Sequence, residues 1–332
     1  MHPGNRDGMA TIYEVAALAG VSPATVSRVF NDRPVSDAKT SLVRSAAESL
    51  KYTPNRTART LRRQHSEVIA LVIPDIENPF FTTLARAVED RAQAAGLSVV
   101  LCNTDDDPGK EARYLDIALS EHMAGVILVP ASDHSDVGAV IARGRPVVAV
   151  DRTTGFDIDH VMIDNRPTGL SATRSLQDAG FARIACIAGP HGIVTADERR
   201  AGWNDARGDD AYLRHGNYRV DGGRSAMLEL LALDTPPDAV VVSNNLMGVG
   251  ALEVLAEAGL SPGISPPGFG VAIIGDLPFA TFAPSTIVVV HLPVRELGTT
   301  AADLLISRIR GKRMPPRTVV LPGDVARAHA AG

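Results

Sequence analysis

The chain has 332 residues, of which 45% are hydrophobic and 4% aromatic, so it is long enough for more than one core and lacks the composition of a disordered protein. Its net charge of −5 would argue against a nucleic-acid partner if the charge were evenly distributed. Residues 1–63, however, hold ten Lys or Arg and five Asp or Glu, whereas the remaining residues hold 23 basic and 33 acidic side chains. A basic head on an acidic body indicates that the head alone meets a polyanion.

Two features of the sequence bear on the cellular compartment. Cys102 and Cys186 lie in apolar runs typical of strands, where a buried thiol is expected and neither a disulfide nor a metal site is needed. The N-terminal "MHPGNRDGMA" lacks the apolar core of a signal peptide, and no later run has the length of a membrane span. We therefore expect a cytoplasmic protein without a metal or other cofactor.

Three short helices are predicted in residues 10–53. Thr11 begins a capping-box pattern at the start of the first helix, which is expected to end at Gly20. Ser22 and Pro23 supply an N-cap and a first-turn proline for the second helix. A core of this size suits a compact three-helix unit. The third helix is expected to turn five apolar residues inward, namely Leu42, Val43, Ala46, Ala47 and Leu50.

From Val68 onward the sequence changes to ten apolar runs of strand length, beginning with "VIALVIP" and ending with "RTVVLPG". Continuous hydrophobicity is typical of strands buried on both faces, and the helical segments between the runs imply parallel β-α-β units. Ten strands fit two doubly wound lobes better than one sheet. The predicted fold is therefore a small all-α helix-turn-helix head and an α/β body with two parallel-sheet lobes.

Three segments of the chain resemble a known family. "TIYEVAALAGVSPATVSRVFN", "KYTPNRTARTLRR" and "VIPDIENPFF" look like the lactose-repressor (LacI/GalR) family of bacterial regulators, and the resemblance covers nearly the whole chain. In this family the body resembles periplasmic binding proteins. The resemblance implies a helix-turn-helix DNA-binding domain at 10–53, a hinge helix or linker at 54–65, and an effector-binding and dimerisation domain at 66–332, with an N-lobe at about 66–165 and 292–320 and a C-lobe at about 166–291 and 321–332.

The second helix of the head has the outer face that a recognition helix needs. Ala24, Thr25, Ser27 and Arg28 are small or polar, which suits entry into a major groove about 12 Å wide. Arg28 is the expected base reader, because its guanidinium can donate to O6 and N7 of one guanine. In the family, positions matching Pro23, Ala24 and Arg28 set operator preference. Phosphate contacts are expected from Thr11, Tyr13, Ser22, Thr25, Ser27 and Asn31.

The segment "PNRTARTLRR" is basic and holds a single leucine. A helix this short is below the ~12–15 residues that are stable alone in water, so it should fold only with a partner. In the family, two hinge helices of a dimer pair in the minor groove, and a leucine matching Leu61 wedges between base pairs. The alternative is a solvated basic linker whose leucine packs on its own domain. The hinge residues expected at the DNA are Asn55, Arg56, Ala58 and Leu61.

Polar residues at the ends of the apolar runs predict an effector cleft in the body. Carboxylates, amides, arginines and aromatic rings suit a neutral polyhydroxylated ligand, and we expect a sugar. The resemblance strengthens Arg199, in "ADERRAGW", and Asn244, in "SNNLMGVGAL", while core packing remains an alternative for Phe80 and Phe81. The candidates are Asp75, Asn78, Phe80, Phe81, Asp105, Asp151, Arg152, Asp164, Arg199, Tyr218, Asn244, Asn245 and Asp276.

The sequence departs from the family in two places. In "VAIIGDLPFA", Gly275 stands where many relatives carry an aspartate that bonds the effector, so either Asp276 takes over or the contact is missing. The stretch between Trp203 and Tyr218 is also shorter than usual. An effector-independent regulator therefore remains an alternative.

The sequence predicts a transcriptional repressor that binds a palindromic operator on double-stranded DNA as a homodimer and is controlled by a small-molecule effector. A solute-binding protein would need a signal peptide and no basic head. An enzyme is not expected, because no Gly-rich phosphate loop or nucleophile elbow is present and His191 lacks a partner at catalytic spacing. No membrane association is predicted.

Overall fold

The chain forms two compact units, residues 1–65 and residues 66–332. The computed structural model describes residues 10–30, 34–52, 66–206, 210–277 and 286–326. Within these ranges, no helix is long and apolar enough to cross a membrane.

The described residues of the first unit, 10–30 and 34–52, form a three-helix bundle with its own small core. Val15, Val26 and Val43, one from each helix, have no exposed surface and meet at its centre. The rings of Phe30 and Tyr52 close one side, with their centroids 5.7 Å apart. The predicted small all-α head is thereby confirmed. Its helices are α1 (Ile12–Ala19), α2 (Pro23–Val29) and α3 (Asp37–Ser49).

One predicted core residue of the first unit is on its surface. Leu42 is 54% exposed, whereas Val43, Ala46 and Ala47 are buried. With 3.6 residues per turn, Leu42 lies roughly a quarter-turn from the centre of the buried stripe, at its edge. The prediction that Leu42 points inward was therefore wrong.

The second unit alternates strands and helices along most of its length, and several of its helices begin at a capping side chain. The side chains of Asn78, Asp107 and Asn244 accept backbone N–H groups at the starts of three helices. In chain order the elements are β1 (Val68–Ile73), α4 (Pro79–Ala94), β2 (Ser98–Asn103), α5 (Pro108–Ser120), β3 (Val126–Leu128), α6 (Gly138–Ala142), β4 (Val147–Val150), β5 (Asp159–Ile163), α7 (Asn165–Asp178), β6 (Ile184–Ala188), α8 (Val194–Ala206), a 3-10 turn (Asp210–Tyr212), β7 (Leu213–His215), α9 (Val220–Leu231), β8 (Ala239–Val242), α10 (Asn245–Glu257), β9 (Gly270–Ile274), β10 (Val288–His291), α11 (Val294–Ile309), β11 (Thr318–Leu321) and β12 (Asp324–Ala326).

Two six-stranded sheets define the two lobes of the second unit. The N-lobe sheet has the order β11-β5-β4-β3-β1-β2 and is parallel throughout. The C-lobe sheet has the order β12-β10-β9-β8-β6-β7 and is parallel except where β12 pairs with β10. This confirms the two predicted parallel-sheet lobes. All ten predicted strands are present. The strands β7 and β12 were not predicted, because each has only three residues, some of them polar, and so forms no apolar run.

Close helix packing in the C-lobe depends on glycine. A Cβ added to Gly169 of α7 would lie 2.1 Å from the carbonyl oxygen of Arg199, and one added to Gly202 of α8 would lie 2.0 Å from that of Arg166. Because neither distance can be reached by real atoms, α7 and α8 can pack this closely only with glycine at both positions. This contact sets the position of Arg199 on α8.

The two cysteines are free and buried, as the sequence predicted. Burial raises the pKa of Cys186 to about 12. The Cys186 thiol therefore stays protonated at neutral pH and acts as a small apolar group in the core.

Candidate effector cleft and DNA-binding helix

A cleft lies between the two lobes of the second unit, at the carboxyl ends of their strands. Such ends meet at one edge of a parallel sheet, and ligands of doubly wound folds bind there. The residues that follow four of these strands line the cleft, namely Asp75 and Asn78 after β1, Asp151 and Arg152 after β4, Asn244 and Asn245 after β8, and Gly275 and Asp276 after β9.

The floor of the cleft holds a strained, buried carboxylate. Asp151 is 6% exposed and has a φ of 65°, a left-handed conformation that non-glycine residues rarely adopt. Its Oδ1 atom and the Nε of the neighbouring Arg152 are buried without a partner among the described residues. Burial raises the pKa of Asp151, against the opposing effect of Arg199 and Arg152. Asp151 and Arg152, which both line the cleft, thus each have one buried polar atom without a partner among the described residues.

Arg152 is held in place from the N-lobe side. Its Nη1 donates to Oδ1 of Asp106 at 2.7 Å and to the carbonyl oxygen of Pro130 at 3.0 Å. These two bonds hold the Nη1 end of the guanidinium against the N-lobe.

Arg199 reaches the cleft from α8. Its Nε donates to Oδ1 of Asn165 at 2.8 Å, and its Nη1 donates to the carbonyl oxygen of Ser243 at 2.7 Å. Both bonds are buried, so they fix the plane of the guanidinium. Arg199 therefore presents a pre-oriented positive charge to the cleft that it lines.

Tyr218 and Asn244 form a connected pair on the C-lobe side. The Nδ2 of Asn244 donates to the carbonyl oxygen of Tyr218 at 2.8 Å, while its Oδ1 accepts from the N–H of Met247 at 2.8 Å as the cap of α10. The hydroxyls of Tyr218 and Thr195 are 3.3 Å apart. Burial raises the pKa of Tyr218, so its hydroxyl stays protonated. Asn244 thus lines the cleft with an amide that is largely engaged in structure.

The two phenylalanines at the cleft differ in how deeply their rings are buried. The ring of Phe81 is buried in the main core of the second unit, whereas that of Phe80 is half-buried. The rings meet edge to face, with centroids 5.0 Å apart and planes at 83°. Both residues line the cleft, and Phe80 has the ring face that a sugar could stack on.

The two lobes touch across the cleft. The Nδ2 of Asn245 donates to Oδ1 of Asn78 at 3.3 Å and to the carbonyl oxygen of Asp276 at 3.1 Å. The Nη1 of Arg219 lies 3.6 Å from Oδ2 of Asp75. The Asn245–Asn78 bond joins the end of β8 to the end of β1, and the Arg219–Asp75 ion pair joins the start of α9 to the end of β1, so the lobes are in contact. The Asn245–Asp276 bond ties the ends of β8 and β9 together within the C-lobe.

Two candidates from the sequence lie outside the cleft lining. Asp105 is exposed and bonded to Lys110 and Asn103, and its neighbour Asp106 lines the cleft instead. The hydrogen bond from Lys110 lowers the pKa of Asp105. Both aspartates have positive φ values, 55° and 56°, and this turn decides which of the two faces inward. Asp164 is exposed, and its carbonyl oxygen accepts a hydrogen bond from Thr168 at 2.6 Å.

His291 is a cleft-side residue that sequence reasoning missed. Its Nδ1 donates to Oδ1 of Asp276, which lines the cleft. The signal was present, because His291 ends the β10 run "VVVH" as other polar residues end theirs. His291 itself does not line the cleft. The polar lining residues that were not predicted are Thr83, Asp106, Thr195, Asn217 and Arg219.

In the first unit, α2 exposes the residues expected to read DNA. Pro23, Ala24 and Arg28 are exposed, whereas Thr25 and Ser27 are half-buried. The Oγ of Ser22 accepts from the N–H of Thr25 at 3.2 Å and caps the helix. Arg28 is therefore available on the outer face of a well-capped helix.

The start of α1 is a complete capping box. The N–H of Thr11 donates to Oε2 of Glu14 at 2.6 Å, and the N–H of Glu14 donates to Oγ1 of Thr11 at 3.3 Å. The hydrogen bonds that the Glu14 carboxylate accepts from the N–H and the hydroxyl of Thr11 lower the pKa of Glu14. Tyr13 is 68% exposed beside them. Five residues predicted to contact DNA lie outside the described residues, namely Asn31, Asn55, Arg56, Ala58 and Leu61.

Known families match both units. The model of the family described as "Bacterial regulatory proteins, lacI family" matches residues 11–55. The model described as "Periplasmic binding proteins and sugar binding domain of LacI family" matches residues 66–329.

Individual relatives align over nearly the whole chain. The ribose operon repressor of Escherichia coli (strain K12) is 36% identical, over 91% of this chain and 93% of that protein. The HTH-type transcriptional regulator GalR of the same strain is 33% identical, over 97% and 96%. A crystal structure of the lac repressor dimer bound to operator and the anti-inducer ONPF has a TM-score of 0.83 at 26% identity. A cellobiose complex of the transcriptional regulator CelR has a TM-score of 0.71 at 30% identity. Each of the two alignments covers 96% of this chain and 98% of the other chain.

Proposed function

The chain belongs to the LacI family of bacterial regulatory proteins and is a DNA-binding transcriptional regulator, and from this premise we propose that it is a cytoplasmic repressor that binds a palindromic operator as a homodimer under the control of a sugar. The sugar binds between the lobes and changes the angle between them. A coupling free energy of about 1–3 kcal/mol between sugar binding and operator binding changes operator affinity 5- to 150-fold. A modest change in lobe angle is therefore enough to alter operator occupancy. The cleft serves binding and not turnover.

The unpartnered pair on the cleft floor carries the proposal. A buried polar atom without a partner costs about 1–3 kcal/mol, and Asp151 and Arg152 each have one. A sugar hydroxyl can donate to the Oδ1 of Asp151 while its neighbour accepts from the Nε of Arg152. Phe80 supplies an aromatic face for the apolar side of the sugar ring. This combination suits a neutral polyol.

D-ribose is the first sugar to test, because the ribose operon repressor is the 36% identical relative. Cellobiose is the second, because the CelR structure holds it. Binding of both sugars and of D-glucose to the purified protein is measured by calorimetry. The affinity of the protein for a fluorescent operator is then measured with and without each sugar. Saturable binding of one sugar together with a change in operator affinity is expected. Failure of every sugar to bind would instead favour an effector-independent regulator.

Two adjacent arginines on α8 provide a matched test of the cleft. Arg199 is buried and lines the cleft, whereas Arg200 is half-buried and does not line it. Arg199→Ala is expected to weaken sugar binding at least about ten-fold, since a hydrogen bond to a charged group contributes about 1.5–3 kcal/mol. Arg200→Ala should bind as the wild type does. Equal affinities in the two variants would contradict the placement of the sugar beside α8.

On the DNA side, α2 is proposed to lie in the major groove. Arg28 reads a guanine, Pro23 and Ala24 shape the approach of the helix, and the hydroxyls near the helix starts contact phosphates. The hinge leucine, Leu61, is proposed to wedge into the minor groove at the operator centre. Leu61→Ala should weaken operator binding and leave sugar affinity unchanged. A variant with wild-type operator affinity would refute the wedge.

The edge of the N-lobe sheet supports the dimer. β2 is an edge strand, and its Val100 and Leu101 are 41% and 39% exposed. Exposed apolar side chains on an unpaired edge favour association, so we propose that a second copy covers this strand. Leu101→Lys is expected to shift the protein to a monomer in light scattering, whereas Ile141→Lys, an exposed isoleucine on α6, should not. A dimeric Leu101→Lys protein would place the interface elsewhere.

A further inference from the structure

The ends of β9 and β10 bring a histidine beside an aspartate that lines the cleft. We propose that His291 is a positioning residue that aims the carboxylate of Asp276 at the sugar, an inference that rests on the sugar-binding function proposed above. Asp276 lines the cleft, and His291 reaches the cleft through it.

Strand register brings the two side chains together. β9 and β10 are parallel, with Ile274 opposite Val290. The pairing continues one residue further, because the N–H of Gly275 donates to the carbonyl oxygen of Val290 at 2.8 Å. Asp276 follows directly, and His291 is the last residue of β10. The carboxylate and the imidazole therefore meet where both strands end at the cleft.

The backbone at Gly275 disfavours a side chain at that position. Gly275 has a φ of 95°, which glycine adopts freely and residues with a Cβ do not. Space is not the limit, since a Cβ there would lie 3.7 Å from the nearest atom, Cβ of Asn245. In this backbone an aspartate at position 275 would be strained. The next residue can carry the carboxylate without that cost.

Two contacts hold Asp276. The carbonyl oxygen of Asp276 accepts from Nδ2 of Asn245 at 3.1 Å, and its Oδ1 accepts from Nδ1 of His291. The Asp276 side chain is 62% exposed, so without the imidazole it would sample several rotamers. With Oδ1 engaged by His291, Oδ2 remains for a sugar hydroxyl. The imidazole thus reduces the rotamer freedom that sugar binding would otherwise have to remove.

The test uses the full-length protein and calorimetry with whichever of D-ribose, D-glucose and cellobiose the wild type binds most tightly. The variants are His291→Ala, His291→Gln, Asp276→Ala and the double variant Asp276→Ala/His291→Ala. Glutamine can donate an N–H to the same oxygen, so it should rescue the positioning. His134→Ala, which removes an exposed histidine of another loop, is the matched control. Thermal melting of each variant checks the fold.

We expect His291→Ala to weaken sugar binding about five-fold, Asp276→Ala about ten-fold, and the double variant no more than Asp276→Ala, because His291 acts through Asp276. His291→Gln should stay within about two-fold of the wild type. Three results would overturn this inference but not the proposed sugar control: additive losses of sugar affinity in the double variant, wild-type sugar affinity in His291→Ala, or wild-type sugar affinity in Asp276→Ala. A wild-type protein that binds none of the three sugars would overturn both this inference and the proposed sugar control.

Discussion

Replacing Asp151 with asparagine should stabilise the sugar-free protein and remove its response to sugar. Asp151 is 6% exposed, and burial raises its pKa although Arg199 and Arg152 oppose the shift. A carboxyl whose pKa is higher in the folded than in the unfolded state reduces stability when it is charged. That cost is present at pH 7, shrinks as the pH falls below the folded-state pKa and is gone below the unfolded-state pKa. Asparagine is neutral at every pH and avoids the cost.

The size of the effect follows from the buried charge. Asparagine keeps a polar atom at the place of Oδ1, so the substitution removes only the cost of burying the negative charge, and a change of one in a pKa corresponds to about 1.4 kcal/mol. Part of the gain is lost because Arg152 and Arg199 lose a nearby negative charge. We therefore expect a net gain of about 1 kcal/mol. For a unit of this size, that corresponds to a rise in melting temperature of roughly 2 °C.

Melting temperatures at pH 7, with and without sugar, test both parts of this prediction. Sugar at a hundred times its Kd should stabilise the wild type by about 2.7 kcal/mol and leave Asp151→Asn unchanged. Asp164→Asn is the matched control, because Asp164 is exposed and outside the cleft lining. A lower melting temperature of sugar-free Asp151→Asn, or a full sugar response in that variant, would refute the reasoning.

Three further variants test the packing and the DNA contact. Gly202→Ala should destabilise the second unit by about 3 kcal/mol or more in urea unfolding, since its Cβ would lie 2.0 Å from a carbonyl oxygen, whereas Gly155→Ala, with open space around it, should change little. Asp159→Ala should cost about 3–5 kcal/mol in the same assay, because Asp159 is 2% exposed and Arg308 donates to it at 2.7 Å; a loss below 1 kcal/mol would mean the pair is dispensable. Arg28→Ala should lose about 1–3 kcal/mol of discrimination at one operator base pair in competition binding, and uniform weakening on all sequences would instead assign Arg28 to a phosphate.

The sequence by itself determined the elements of this protein and much of its candidate cleft. Caps such as Ser22 and apolar runs act within a few residues, so helix starts and strands can be recognised locally. Polar residues at strand ends, such as Asp151 after β4 and Asn244 after β8, converge by topology alone, because parallel strands end at one edge of the sheet. The contrast between the basic head and the acidic body likewise assigns DNA binding to the head and ligand binding to the body from the sequence alone.

Only the tertiary structure decided which side chain of each pair faces the cleft. Asp105 and Asp106 are neighbours of the same type, and the turn at positive φ, which no composition signal encodes, turns Asp106 inward. His291 meets Asp276 because β9 and β10 are in parallel register, a relation between segments that lie 15 residues apart. Side-chain direction and strand register depend on packing between distant segments, so they can be known only once the chain has folded.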